Sequence, residues 1–133
     1  MSAFAAANVE DGKAYVAYSV YCDGKEKILR SAYIDGITLH RAILTAIWSA
    51  VSYCRTALAR YDISVYSDNK TVVNELSAAW MGMNKCDDFN DADRIRDILT
   101  VCCHIRQVAS GYCTTDGDDN YSRRMKELTD MLT

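Results

Sequence analysis

Hydrophobic and polar positions along the chain change period several times, and each change marks an element. Phe4 to Val9 is a short apolar stretch, and Glu10-Asp11-Gly12-Lys13 reads as a turn. Ala14 to Cys22 (AYVAYSVYC) is rich in β-formers, Asp23-Gly24 is a strong hairpin signal, and KEKILRSAYI is the returning strand, so three antiparallel strands open the domain. After Asp35-Gly36 the period becomes helical. Thr38 stands where a helix cap is wanted, and Leu39, Ile43, Ala46, Ile47, Ala50, Val51, Cys54 and Leu58 fall on one stripe, predicting a long amphipathic helix over Leu39–Leu58.

Ile63 to Tyr66 is short and apolar, a buried strand that ends in Ser67-Asp68-Asn69, with Asn69 or Lys70 opening a second helix through VVNELSAAW. MGMNKCDDFND is a loop, Ala92 to about Cys102 a third helix, His104 to Ser110 the last strand, GYCTTDGDDN an acidic loop, and Ser122 to Leu132 a closing helix. The resulting order, βββαβααβα, is that of an α/β fold with helices flanking a mixed five-stranded sheet. The expectation is a single domain over residues 1–133, because this length, half of it hydrophobic, suffices for one core and leaves no room for a second.

Composition narrows the function classes. The net charge of −3 argues against sequence-blind nucleic-acid binding, without excluding a local basic patch. Lys25, Lys27 and Arg30 cluster early and Arg123, Arg124 and Lys126 late, with an acidic block from Asp87 to Asp97 between them; such runs are usually solvated faces. No apolar run has the length a bilayer needs and Met1–Val9 lacks the pattern of a secretory signal, so the expectation is a cytoplasmic or otherwise intracellular protein with no membrane partner. The cysteines (Cys22, Cys54, Cys86, Cys102, Cys103, Cys113) show no CxxC spacing and read as free thiols, and with only His40 and His104 to join them a zinc site is not expected.

The motifs LHRAILTAIWSAV and ISVYSDNKTVVNEL, behind the opening hairpin, resemble the ribonuclease H family over nearly the whole chain. In the first, Arg41, Ala42, Leu44, Thr45 and Ala46 match the family's first-helix pattern; in the second, Asp68 falls at its fourth-strand aspartate. The resemblance implies a ribonuclease H-like fold and, in active members, phosphodiester hydrolysis by paired Mg²⁺ ions held by four carboxylates. Those carboxylates matter because two close cations repel unless clustered negative ligands offset them. Only Asp68 is kept. Ala6, or a neighbour in FAAAN, stands at the first-strand aspartate, Ile43 at the helix glutamate, and Lys126 of SRRMKEL at the last aspartate; no histidine occurs in GYCTTDGDDN. Ile43 continues the apolar stripe, so its expected place is the core.

Three readings follow. The leading one is a pseudo-nuclease: a catalytically inactive binding or scaffolding module with no cofactor and no metal site, whose partner is RNA or an RNA–DNA hybrid, or a protein or second copy. The alternative is a Mg²⁺-dependent nuclease that joins Asp68 to Glu10, Asp11 or the Asp116–Asp119 loop. The third is a small-molecule or protein-interaction domain that only resembles the family. Family members read the hybrid's minor groove with asparagines at positions held here by Leu39 and His40, so the resemblance leaves Thr38, His40, Arg41 and Lys70 as candidate nucleic-acid contacts. The hairpin tyrosines Tyr15, Tyr18, Tyr21 and Tyr33 offer a stacking or interface surface, or ordinary cross-strand packing.

Overall fold

The computed structural model describes residues 1–60, 63–82, 91–101, 105–110 and 119–132, and for 101, 105–110 and 119–122 the backbone alone. The elements are β1 (Ser2–Glu10), β2 (Lys13–Cys22), β3 (Lys25–Asp35), α1 (Leu39–Thr56), β4 (Ile63–Ser67), α2 (Lys70–Trp80), α3 (Ala92–Val101), β5 (Ile105–Ser110) and α4 (Asp119–Asp130). Their order is the expected one. The sheet runs β3-β2-β1-β4-β5, antiparallel across β3-β2-β1 and parallel across β1-β4-β5.

Turn chemistry sets the antiparallel half. Asp11-Gly12 and Asp23-Gly24 each place both residues at positive φ (53° and 76°, 53° and 79°), the two-residue hairpin geometry whose twist matches the flanking strands. The second hairpin slips once: Tyr21 pairs with Glu26 and Val20 with Ile28, which leaves Lys27 as an extra residue in β3.

Strand alternation then sorts the side chains into two cores. Ala3, Ala5, Ala14, Val16, Val20, Ile63 and Val65 face α1, whose buried residues Ile43, Leu44, Ile47 and Val51 complete the larger layer, joined by Leu76 of α2 and Ile95 and Ile98 of α3. Phe4, Ala6, Ala17, Tyr21 and Tyr66 face the other way and pack on Met125 and Leu128 of α4, with Leu132 just past its end. Thr38 caps α1, its Oγ1 accepting the Arg41 N–H at 3.2 Å.

Some boundaries differ from the sequence reading. Leu39 is 41% exposed and so leaves the apolar stripe: helical spacing fixes a direction, but burial also needs a neighbour at that height. The closing helix begins at Asp119, three residues before Ser122, so Lys126 lies well inside it. Cys22 and Cys54 are free thiols, and burial pushes the Cys54 thiol up to about 12; Cys86, Cys102, Cys103, Cys113 and His104 fall outside the described residues. No helix among the described residues is long and apolar enough to cross a membrane.

Candidate functional site

The parallel pair β1–β4 brings the first candidates to one end of the sheet. Its last matched pair is Ala5 with Ser67, so Ala6 and Asp68 are the next neighbours across the two strands. Ala6 is fully buried against the α4 layer, beside Phe4, Ala17 and Met125. Ile43 is 1% exposed and sits in the α1 layer, on the opposite face of the sheet. Lys126 is an exposed residue of α4, between the buried Met125 and Leu128.

Asp68 is half-buried at the carboxyl end of β4, the position where α/β sheets carry their chemistry. Burial raises its carboxyl above the usual aspartate range, against the opposing pull of a backbone hydrogen bond. Beside it Asn69 caps α2, accepting the Val72 N–H at 3.0 Å while its own N–H donates to Ser67 Oγ at 3.2 Å. This donor set does not fit two Mg²⁺ ions. Alanine and isoleucine side chains offer no oxygen, and one carboxylate cannot offset the repulsion between two dications. Among the described residues no group of three or more His, Cys, Asp or Glu side chains is placed to hold a metal.

Glu10 and Asp11 do not supply the missing ligands. Both are exposed, and Glu10 lies four residues beyond Ala6 along an extended strand, about 13 Å at roughly 3.3 Å per residue. Asp116 and Asp118 lie outside the described residues, and Asp119 is described by its backbone as the first residue of α4.

One turn before Ile43, α1 carries charge instead. His40 Nε2 lies 2.6 Å from Glu75 Oε2 on α2, and Nδ1 lies 2.7 Å from Asp91 Oδ2 at the turn into α3. Burial pulls the imidazole's pKa down, but the hydrogen bonds to Asp91 and Glu75 and their charges push it further up, so the net shift is upward. The protonated ring donates from both nitrogens and ties three elements together. Arg41 extends the bridge, donating to Asp91 Oδ1 at 3.2 Å and, as a two-pronged fork, to both oxygens of Asp93 at 3.1 and 3.0 Å. The Arg41 hydrogen bond holds the exposed Asp93 carboxyl below its usual range. Asp91 also takes part through its backbone: its φ is 55°, and its carbonyl accepts the N–H groups of Arg94 and Ile95 at the start of α3.

The four candidate nucleic-acid contacts thus have different surroundings. His40 and Arg41 are held by carboxylates, and Thr38 caps α1. Lys70 is exposed at the first position of α2, eleven residues long, with Glu75 further along it. The hairpin tyrosines split as well. Tyr18 packs against the α1 core, and Tyr21 lies under Arg124, 3.9 Å from its guanidinium carbon, and edge-on to Phe4. Tyr15 and Tyr33 form a tilted pair 6.4 Å apart, with Tyr33 61% exposed.

Sequence reasoning did not single out Glu75 and Asp91 as partners of His40. They lie 35 and 51 positions away, and no period rule links residues on three different elements. The available signal was weak: a histidine in the first turn of a helix, with carboxylates in an amphipathic helix and an acidic block downstream.

No protein-family model matches this sequence, and no curated protein matches it. Solved structures do resemble it. Ribonuclease H1 from the halophilic archaeon Halobacterium salinarum NRC-1 superposes with a TM-score of 0.63 at 16% identity, covering 96% of this chain and 92% of that one. LC11 ribonuclease H1, solved in complex with an RNA/DNA hybrid, gives 0.68 at 14% identity over 98% and 94%. The N-terminal ribonuclease H domain of Rv2228c from Mycobacterium tuberculosis gives 0.67 at 14% identity over 94% and 95%. At such identities the likeness is one of architecture, carried along nearly the full length of each chain: this protein has the ribonuclease H fold.

Proposed function

We propose that this chain is a ribonuclease H-fold module that binds nucleic acid without cutting it. The observation that carries the reading is Ile43. At the position where the first-helix motif of ribonuclease H has a metal-binding glutamate, this chain has a fully buried aliphatic side chain. Its burial stabilises the fold by about 1.5–3 kcal/mol, whereas a lone buried carboxylate is costly. Ala6 and Lys126 support the same conclusion, and Asp68 is left as a vestige.

Binding draws its support from the fold, since LC11 ribonuclease H1 of the same architecture was solved with an RNA/DNA hybrid. In this chain the exposed Lys70 is the first candidate for a phosphate contact, with Thr38 at the start of α1 the second. Arg41 reaches a phosphate only by giving up its fork to Asp93.

Fluorescence anisotropy with labelled RNA–DNA hybrid, double-stranded RNA and double-stranded DNA tests the proposal. The expected result is salt-dependent binding of the hybrid, weakened by Lys70→Glu with the melting temperature unchanged. Failure to bind all three at low salt would remove nucleic acid as the partner.

A further inference from the structure

From the open edge of the sheet we infer that β3 is a self-pairing strand that joins two copies of this chain through an antiparallel, two-fold contact centred on Ser31. This does not depend on the nucleic-acid reading.

β3 is the terminal strand of the sheet, eleven residues long, and nearly all of it is exposed on both faces. Such a strand is a template for further pairing unless proline, strong twist or unpairable charge blocks it. The chain contains no proline. The Lys27 bulge is confined to one end, where the Lys27 carbonyl accepts the Tyr53 hydroxyl at 3.3 Å. From Ile28 to Ile34 the strand is regular.

Which backbone groups face outward follows from the hairpins. Cys22 and Lys25 flank a two-residue turn and form a hydrogen-bonded pair, so even-numbered β2 residues bond toward β3. Their partners Ile28, Arg30, Ala32 and Ile34 therefore point inward, and Gly36 continues the series by donating to Gly12 O at 3.3 Å. Leu29, Ser31 and Tyr33 present their N–H and C=O groups to the open edge.

A two-fold axis at Ser31 lets those outward groups bond reciprocally. It also matches the side chains of the regular stretch: Arg30 meets Ala32, Leu29 meets Tyr33 and Ile28 meets Ile34, and just beyond that stretch the bulge residue Lys27 comes near Asp35 at each end. Leu29 and Tyr33, 39% and 61% exposed, are large apolar side chains that solvent reaches. They lie on the face opposite α1, where Tyr33 already leans on Tyr15 and takes the Lys13 ammonium at 5.7 Å. In the paired strands they form an apolar strip, with the Lys27 and Asp35 charges near its two ends. Neighbouring registers lose this match: centring on Arg30 sets two guanidinium groups face to face, and centring on Ala32 sets Leu29 against Asp35.

The charges thus make the edge selective instead of blocking it. The fitting partner is a second copy, because the same strand run antiparallel about Ser31 supplies Tyr33 opposite Leu29 and brings Asp35 near Lys27. The two five-stranded sheets become continuous across the axis.

Sedimentation velocity of the full chain over a range of concentrations, with Lys27→Glu and Asp35→Lys, tests this. Wild type is expected to show a concentration-dependent monomer–dimer equilibrium. Each single variant should dimerise at least tenfold more weakly, since like charges then meet at both ends, with an unchanged melting temperature. An equimolar mixture of the two should restore dimers, because the glutamate introduced in one copy then faces the lysine introduced in the other. A wild-type chain that stays monomeric at every concentration overturns the inference. So does a dimer indifferent to both substitutions.

Discussion

Two adjoining stretches of α1 treat charge in opposite ways. At Ile43 the helix is apolar and sealed, packed in the core that includes Ala5, Leu44 and Ile47. One turn earlier, His40 and Arg41 hold three carboxylates from α2 and the start of α3 within hydrogen-bonding distance. The difference teaches where this helix tolerates charge. Charge is kept where a protonated imidazole or a guanidinium can satisfy it, and is replaced by hydrocarbon where neither reaches. Asp68 belongs to neither class, and its raised pKa records that it is held at a cost.

The largest expected effect comes from carrying charge into the sealed stretch. Ile43→Ala should lower stability by about 2–5 kcal/mol through lost burial and a cavity. Ile43→Glu should lower it further, since the carboxylate enters the α1 core alone. Lys126 offers little relief, because α4 packs on the other face of the sheet. Chemical denaturation of both variants checks the ranking, and an Ile43→Glu protein as stable as wild type would erase the contrast between the two stretches.

A second test removes the charge that is satisfied. His40→Gln should cost about 1–3 kcal/mol under acidic conditions, where the imidazolium donates to two carboxylates. The sign follows from linkage. Because the folded-state pKa lies above the ordinary 6.5, the stabilisation is fully present below pH 6.5 and is lost as pH rises through the raised value. Wild type should therefore lose stability relative to His40→Gln across that window. Parallel curves would mean that the ring does not titrate between Glu75 and Asp91.

The smallest effect should be a gain. Burial disfavours the charged form of Asp68, so its contribution falls as pH rises past the ordinary aspartate range. Asp68→Asn is expected to raise the melting temperature slightly at neutral pH, and the rise should not depend on added Mg²⁺.

Much of this architecture was legible in the sequence because local chemistry dictates it. Asp-Gly dipeptides fixed two hairpin turns, and β-formers flanked them. The helical spacing from Ile43 to Cys54 predicted the buried face of α1. The apolar side chain at position 43 was readable for the same reason, since a stripe of that period needs no partner to be named. What was not legible depends on distance in three dimensions. Leu39 fits the stripe yet lies in solvent. The His40 bridge gathers residues from three elements, and the extra residue at Lys27 arises from a register slip that alternation alone does not reveal.

The most direct test of the central claim is cleavage of an end-labelled RNA–DNA hybrid by the purified chain in Mg²⁺ and in Mn²⁺, with Asp68→Asn alongside. An inactive module predicts that the hybrid stays intact in both metals and that the two proteins are indistinguishable. Metal-dependent cleavage that disappears in Asp68→Asn would contradict it, and would show that the carboxylates needed for hydrolysis are gathered around Asp68 after all.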